Sequence, residues 1–256
     1  MTDRPLIRED ETADLIAGGR LRVIQKRRGY RFSLDALLLA HFVRARRGDR
    51  IVDLGSGAGI ISLLLHLRIP RARIVGLEID PGAVEMANRT LALNGIGEGV
   101  TFVSGDCRRI EEHLPRGGFD VVVTNPPYRR LLSGRVNPRE DKALARHEIA
   151  GRVGDFMRAA AWCLREGGRA FVIYPARRAV ELFCRMREVR LEPKTIRVCH
   201  SFPGERGEFV LLEGRLGGRE ELKVLPPLFL YRSRGVYSEE MEGIFNDLSR
   251  PGSDDA

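Results

Sequence analysis

A chain of 256 residues, 43% hydrophobic and 30% charged, holds enough apolar material for one large core or one core with additions. No apolar run approaches the ~20 residues of a membrane span, and Cys107, Cys163, Cys184 and Cys199 form no C-x-x-C pair, which speaks against a zinc site or a disulfide framework. The net charge of +8 permits a polyanionic partner such as nucleic acid; the cations are almost all arginine, with Lys26, Lys142, Lys194 and Lys223 the only lysines.

In chain order, Met1-Thr2-Asp3-Arg4-Pro5 carries no signal-peptide core, so the expected compartment is the cytoplasm. Residues 1–18 are rich in Asp, Glu and Arg with little periodicity and predict a flexible arm. Leu21–Gln25 alternates weakly, as a strand would, before the turn at Arg27-Arg28-Gly29. Phe32 to Phe42 is a helix candidate with Ser33 as N-cap. A regular alternation then begins. Ile51–Leu54 is a strand, Gly55-Ser56-Gly57-Ala58-Gly59 a tight loop, and Ile60–Leu67 a helix stopped by Pro70. Ala72–Glu78 is the next strand, and Asp80 (N-cap) with Pro81 (N1) opens a helix closed by Gly95.

Val100–Val103 and Phe119–Val123 read as the third and fourth strands, the latter a buried β-branched run. A loop over 129–146 leads to a helix at Val153–Leu164, and Gly167-Gly168 turns into a fifth strand, Arg169–Tyr174. After a helix near Arg178–Glu188, Ile196–Ser201 and Phe209–Glu213 follow each other with no helix between, which predicts an antiparallel pair at the sheet edge. A short helix follows Ser238. Strands alternating with helices predict an α/β fold: a doubly wound, mostly parallel Rossmann-like sheet with an antiparallel edge strand, in one domain with small terminal additions.

Three acids and a glycine loop select the cofactor. Asp53-x-Gly55-x-Gly57-x-Gly59 joins the first strand to the first helix, where a nucleotide-like group meets backbone amides. A dinucleotide fold would place glycine three after Gly57, where Ile60 stands, and Asp53 would repel a pyrophosphate. An acid there suits the cationic amino group of S-adenosylmethionine instead. Glu78, ending the second strand, is placed for two ribose hydroxyls. Asp106, after the third strand and beside Cys107, is placed for an adenine amino group.

Thr124-Asn125-Pro126-Pro127-Tyr128 ends the fourth strand at the edge where open α/β sheets bind ligands. Two prolines fix φ and remove two donors, leaving a carboxamide, a main-chain carbonyl and a ring. Two acceptors side by side suit a planar NH2 group with two donors.

The glycine loop, Glu78, Asp106 and Asn125-Pro126-Pro127-Tyr128 resemble the class I methyltransferase motifs of enzymes that methylate amino groups. Phe32–Ala40, Ala145-Arg146-His147-Glu148, Pro226-Pro227-Leu228 and Tyr237-Ser238-Glu239-Glu240 extend the likeness to the tRNA adenine-N6 methyltransferase family, which modifies the adenine 3′ of the anticodon in a valine tRNA. That resemblance implies a hairpin-and-helix extension at 19–48 and a class I methyltransferase domain at 49–250. It implies S-adenosylmethionine as cofactor, held by Asp53, Gly55, Gly57, Gly59, Glu78, Asp106 and Cys107, with no metal. The acceptor would be a tRNA adenine.

The expected catalytic set is Asn125, Pro126, Pro127 and Tyr128, the ring stacking on a flipped base. Arg129, Arg130, Arg146 and His147 are the expected RNA contacts. Asn125-Pro126-Pro127-Tyr128 alone leaves other planar amines open: guanine N2 in ribosomal RNA, or a glutamine amide. The ~50 residues before the glycine loop are short for the helical substrate domain of the glutamine enzymes. DNA methylation lacks a stretch for target recognition, and a non-catalytic RNA-binding protein would not need both motif sets.

Overall fold

The computed structural model describes residues 6–27, 34–127 and 151–250. Its centre is a nine-stranded sheet. The parallel part comprises β3 (Arg50–Leu54), β4 (Arg73–Glu78), β5 (Val100–Ser104), β6 (Phe119–Thr124) and β7 (Leu164–Pro175). The helices between them are α2 (Ile60–Arg68), α3 (Pro81–Leu93) and α4 (Val153–Cys163). After α5 (Ala179–Glu188) the chain adds β8 (Leu191–His200) and β9 (Gly207–Leu216). The strand order is β8-β9-β7-β6-β3-β4-β5, and two two-residue strands, β10 (Lys223–Val224) and β11 (Leu228–Phe229), cover the outer side of β8.

The fold class read from the alternation is the one observed. β9 lies antiparallel between β7 and β8, so the predicted edge pair is present and longer than its apolar cores suggested. The reversal between β6 and β3 in sequence order makes the carboxyl ends of those two strands the switch point where ligands bind.

Alternate strand residues fill two cores, as a sheet covered on both faces requires. Ile51, Ile74, Val121, Val123, Phe171 and Ile173 pack with α1 (Leu34–Phe42), α2, α3 and the last helix, α6 (Glu239–Ser249). Val52, Leu54, Leu77, Val122, Val172 and Tyr174 pack under α4 and α5. Among the described residues no helix is long and apolar enough to cross a membrane.

Two stretches differ from their sequence reading. Residues 11–16, expected within a loose arm, form β1 (Glu11–Ile16), antiparallel to β2 (Leu21–Lys26). The reason is an ion pair invisible to local pattern: Glu11 is fully buried and accepts two bonds from Arg89 of α3, at 2.6 and 2.8 Å. The second is the start of β7. Leu164, expected to close a helix, already pairs with Phe119, and Gly167-Gly168 falls in a register shift inside the strand rather than before it. Gly167 has φ +74°, a backbone conformation open to glycine at no steric cost. Ser33, the expected N-cap of α1, lies outside the described residues.

Candidate active site

Strand register sets the order of the site along the sheet edge. Leu54 pairs with Thr124 on one side and with Leu77 on the other, while Glu78 pairs with Ser104. One residue further on, Asn125, Gly55, Glu78 and the start of the Gly105-Asp106 turn stand in a row. Three strand spacings make that row about 14–15 Å long. The sequence-predicted acids, the glycine loop and the acceptor loop are thus brought to one edge.

The glycine loop is shaped by close contacts. Gly55 and Ser56 donate their backbone N–H groups to Leu77 O at 2.8 and 3.1 Å, folding the loop over β4. Gly59 has φ +85°, and a Cβ there would stand 2.3 Å from Cζ of Phe102. Only a residue without a side chain lets α2 start this close to β5. Gly57 N–H donates to Glu78 Oε2 at 2.9 Å, and Asp80 N–H donates to Glu78 Oε1 at 3.0 Å. Two amides therefore aim the Glu78 carboxylate, each oxygen keeping a lone pair for another donor. Burial raises its pKa above the usual carboxylate range.

Asp53 is fully buried. Its Oδ2 accepts from Ser62 Oγ at 2.8 Å, and its Oδ1 has no partner among the described residues. Burial pushes its pKa up to about 7; the Ser62 bonds oppose that rise and the nearby charge of Glu78 adds to it. A buried carboxylate oxygen without a donor is costly unless something cationic or strongly donating completes it. The ammonium of the methionine part of S-adenosylmethionine meets that need, and the Glu78 carboxylate suits ribose hydroxyls. These two acceptors fit the donors of this cofactor.

Asp106 stands differently from its expectation. It accepts from Arg108 through Nε at 2.9 Å to both oxygens and through Nη2 at 2.6 Å. It also caps the short 3-10 turn at Cys107–Glu112 through Arg108 N–H. Arg108 holds its carboxyl below the usual range. An adenine amino group at this position would share an acceptor that already has a cation on it. Cys107 is buried and its thiol is pushed up to about 12 by that burial, so it contributes a neutral wall rather than a thiolate.

At the other end of the row, Thr124 Oγ1 donates to Leu54 O at 2.8 Å and ties the tips of β6 and β3 together. Asn125 Nδ2 donates to Asp35 Oδ2 at 2.9 Å, whereas Asn125 Oδ1 is buried with no partner among the described residues. The carboxamide therefore shows an acceptor, not a donor. Tyr128, Arg129, Arg130, Arg146 and His147 lie outside the described residues.

Sequence reasoning missed Asp35 and Ser62. Each had a signal: a lone carboxylate in the apolar run Leu34–Phe42 and a lone hydroxyl in Ile60–Leu67, both fully or almost fully buried in the fold. A polar side chain buried in the first turns of a helix among apolar neighbours marks a partner elsewhere.

Residues 33–189 match the model of the methyltransferase small domain family. A Phocaeicola vulgatus protein named tRNA1(Val) (adenine(37)-N6)-methyltransferase is 30% identical over 207 residues, which is 80% of this chain and 85% of its own. A Pedobacter heparinus protein of the same name is 28% identical over 222 residues, covering 85% of this chain and 90% of its own. Among solved structures, a predicted O-methyltransferase from Agrobacterium tumefaciens superposes with a TM-score of 0.69 at 24% identity, over 86% of this chain and all of its own. P. horikoshii TYW2 in complex with MeSAdo superposes with a TM-score of 0.57 at 15% identity, over 82% of this chain and 73% of its own. At these identities the structural likeness speaks for the fold.

Proposed function

We propose that this chain, which belongs to the methyltransferase small domain family, transfers a methyl group from S-adenosylmethionine to the exocyclic N6 amine of an adenine in tRNA. The observation that carries the acceptor chemistry is the buried Oδ1 of Asn125 at the switch point of the sheet, which has no partner among the described residues.

The bound cofactor supplies an electrophilic methyl on a sulfonium, and the remaining work is positioning. Asp53 Oδ1 takes the ammonium, Glu78 the ribose hydroxyls, and the glycine loop permits close backbone approach. An adenine amine is a poor nucleophile because its lone pair is delocalised into the ring. Asn125 Oδ1 and the Pro126 carbonyl each accept one N–H, drawing the amine towards tetrahedral geometry and aiming its lone pair along the edge towards the glycine loop. No strong base is required, since the methylated amine is cationic and loses its proton to water.

Support for tRNA comes from the relatives' names, the net charge of +8 and the make-up of the same edge. Pro175 pairs with Phe209 and His200 with Gly207, so the loops after β7 and β8 emerge beside Asn125. They expose Arg177 and Arg206, and the Tyr231–Tyr237 hairpin, which leaves β11 beside the end of β8, exposes Arg232 and Arg234. Tyr231 and Tyr237 stack there, with centroids 5.1 Å apart. Three strand spacings, about 14 Å, separate β6 from β8, a distance that nucleotides flanking a flipped base span. On this reading residues 49–250 are the catalytic unit and residues 19–48 its extension.

The test is incubation with a labelled methyl donor and, separately, unmodified tRNA, ribosomal RNA and release factor, with the mark located by mass spectrometry. N6-methyladenosine in tRNA is expected; a mark on guanine N2 or on glutamine overturns the assignment. N125A is expected to bind donor with unchanged calorimetric affinity and to lose about 10²–10³ in turnover, the scale for removing one transition-state contact.

A further inference from the structure

We propose that Asp35, 90 residues upstream of the acceptor loop, is a positioning residue that selects which end of the Asn125 carboxamide faces the substrate amine. The inference rests on the acceptor role just assigned to Asn125 and names a residue that sets it.

A carboxamide is nearly the same shape in its two flipped states, so packing alone hardly distinguishes oxygen from NH2. The hydrogen-bond partner decides. A flipped Asn125 would present two donors to an amine that also brings two donors, and the cradle would become repulsive. Asp35 Oδ2 accepts from Asn125 Nδ2 at 2.9 Å, so it holds the NH2 end and leaves Oδ1 for the substrate.

Asp35 is itself fixed. It is 1% exposed, and its Oδ1 accepts from Ala36 N–H at 2.9 Å in the first turn of α1. That turn is the positive end of the helix, where a carboxylate is favoured. The rest of α1 is locked into the core through Leu38, Leu39 and Ala40. The segment ahead of the glycine loop therefore belongs to the acceptor site as well as to the scaffold.

Three variants separate orientation from mere helix capping. D35S keeps a small acceptor for the first-turn N–H but is too short to reach Asn125. D35N keeps the reach and offers an oxygen to Nδ2. The measurements are kcat and KM with tRNA, calorimetric donor affinity and thermal unfolding. D35S is expected to lower kcat about 10–100-fold, the scale of one charge-assisted hydrogen bond, with KM, donor affinity and melting temperature nearly unchanged. D35N is expected to recover most of that loss. In single-turnover assays the double variant D35S/N125A should be no slower than N125A, because Asp35 acts through Asn125.

A D35S enzyme as fast as wild type, a D35N enzyme as slow as D35S, or losses that multiply in the double variant would each overturn the proposal. An active wild type with any of these outcomes refutes the role of Asp35 alone. A wild type that methylates no RNA refutes the functional reading and this role together.

Discussion

Asp53 should make the ligand-free protein less stable as pH rises, and removing its charge should abolish that loss. Its carboxyl is fully buried, and one oxygen lacks a donor among the described residues. In the unfolded chain it titrates near 3.8, and in the fold near 7. The sign follows: below 3.8 both states are protonated and nothing is lost. Above that value the unfolded state ionises first, so stability declines until the folded carboxyl has also titrated. At about 1.4 kcal/mol per pH unit, the interval from pH 5 to the folded value amounts to about 3 kcal/mol. D53N cannot ionise and keeps that stability, whatever its amide gains or loses with Ser62. For a chain of this size, 2–4 °C per kcal/mol converts the difference to a gap in melting temperature that widens by about 6–12 °C between pH 5 and pH 8. The assay is thermal unfolding of both proteins across that range without cofactor. A gap that stays constant with pH refutes the reasoning. Saturating S-adenosylmethionine should close most of the gap at pH 8, because its ammonium completes the carboxylate in the wild type and D53N offers no charge for it.

Three further outcomes follow from the geometry. G59A should cost about 2–3 kcal/mol in chemical denaturation, since its Cβ meets the Phe102 ring at 2.3 Å on a backbone with φ +85°, and F102L in the same chain should return part of that cost. R89A leaves Glu11 buried without its main cation and should cost about 3–5 kcal/mol, with proteolysis opening the β1–β2 hairpin first. Arg89 first, with the Arg8 amide and Lys26, holds the Glu11 carboxyl at about 2, so the wild-type contribution is present above 4.5 and is lost as pH falls towards 2; R89A should shrink that acid limb. R232E/R234E should weaken tRNA binding at least tenfold and flatten its salt dependence by about one for each phosphate that these arginines neutralise, without changing donor affinity; an unchanged salt slope removes these arginines from the RNA surface.

The sequence by itself determined the parts whose cause is local. Alternating strand and helix periods dictated the doubly wound sheet, because a β-branched run such as Phe119–Val123 and a capped helix such as Asp80–Leu93 carry their own hydrogen-bond and burial logic. Parallel strands with the glycine loop and Asn125-Pro126-Pro127 at their carboxyl ends then made the site legible as a place. What the site does at atomic range was decided elsewhere. Asn125 keeps its buried oxygen as an acceptor because Asp35, 90 positions away, holds its nitrogen. Ser62 takes one oxygen of Asp53 and no described residue takes the other, and Asp106 is occupied because Arg108 turns back on it. Glu11 makes a strand of a polar arm because Arg89 lies opposite. A polar atom is defined by its partner, and partners meet only once the chain is folded. Sequence periodicity could locate these atoms, and the tertiary structure alone assigned the donors and acceptors that give them their chemistry.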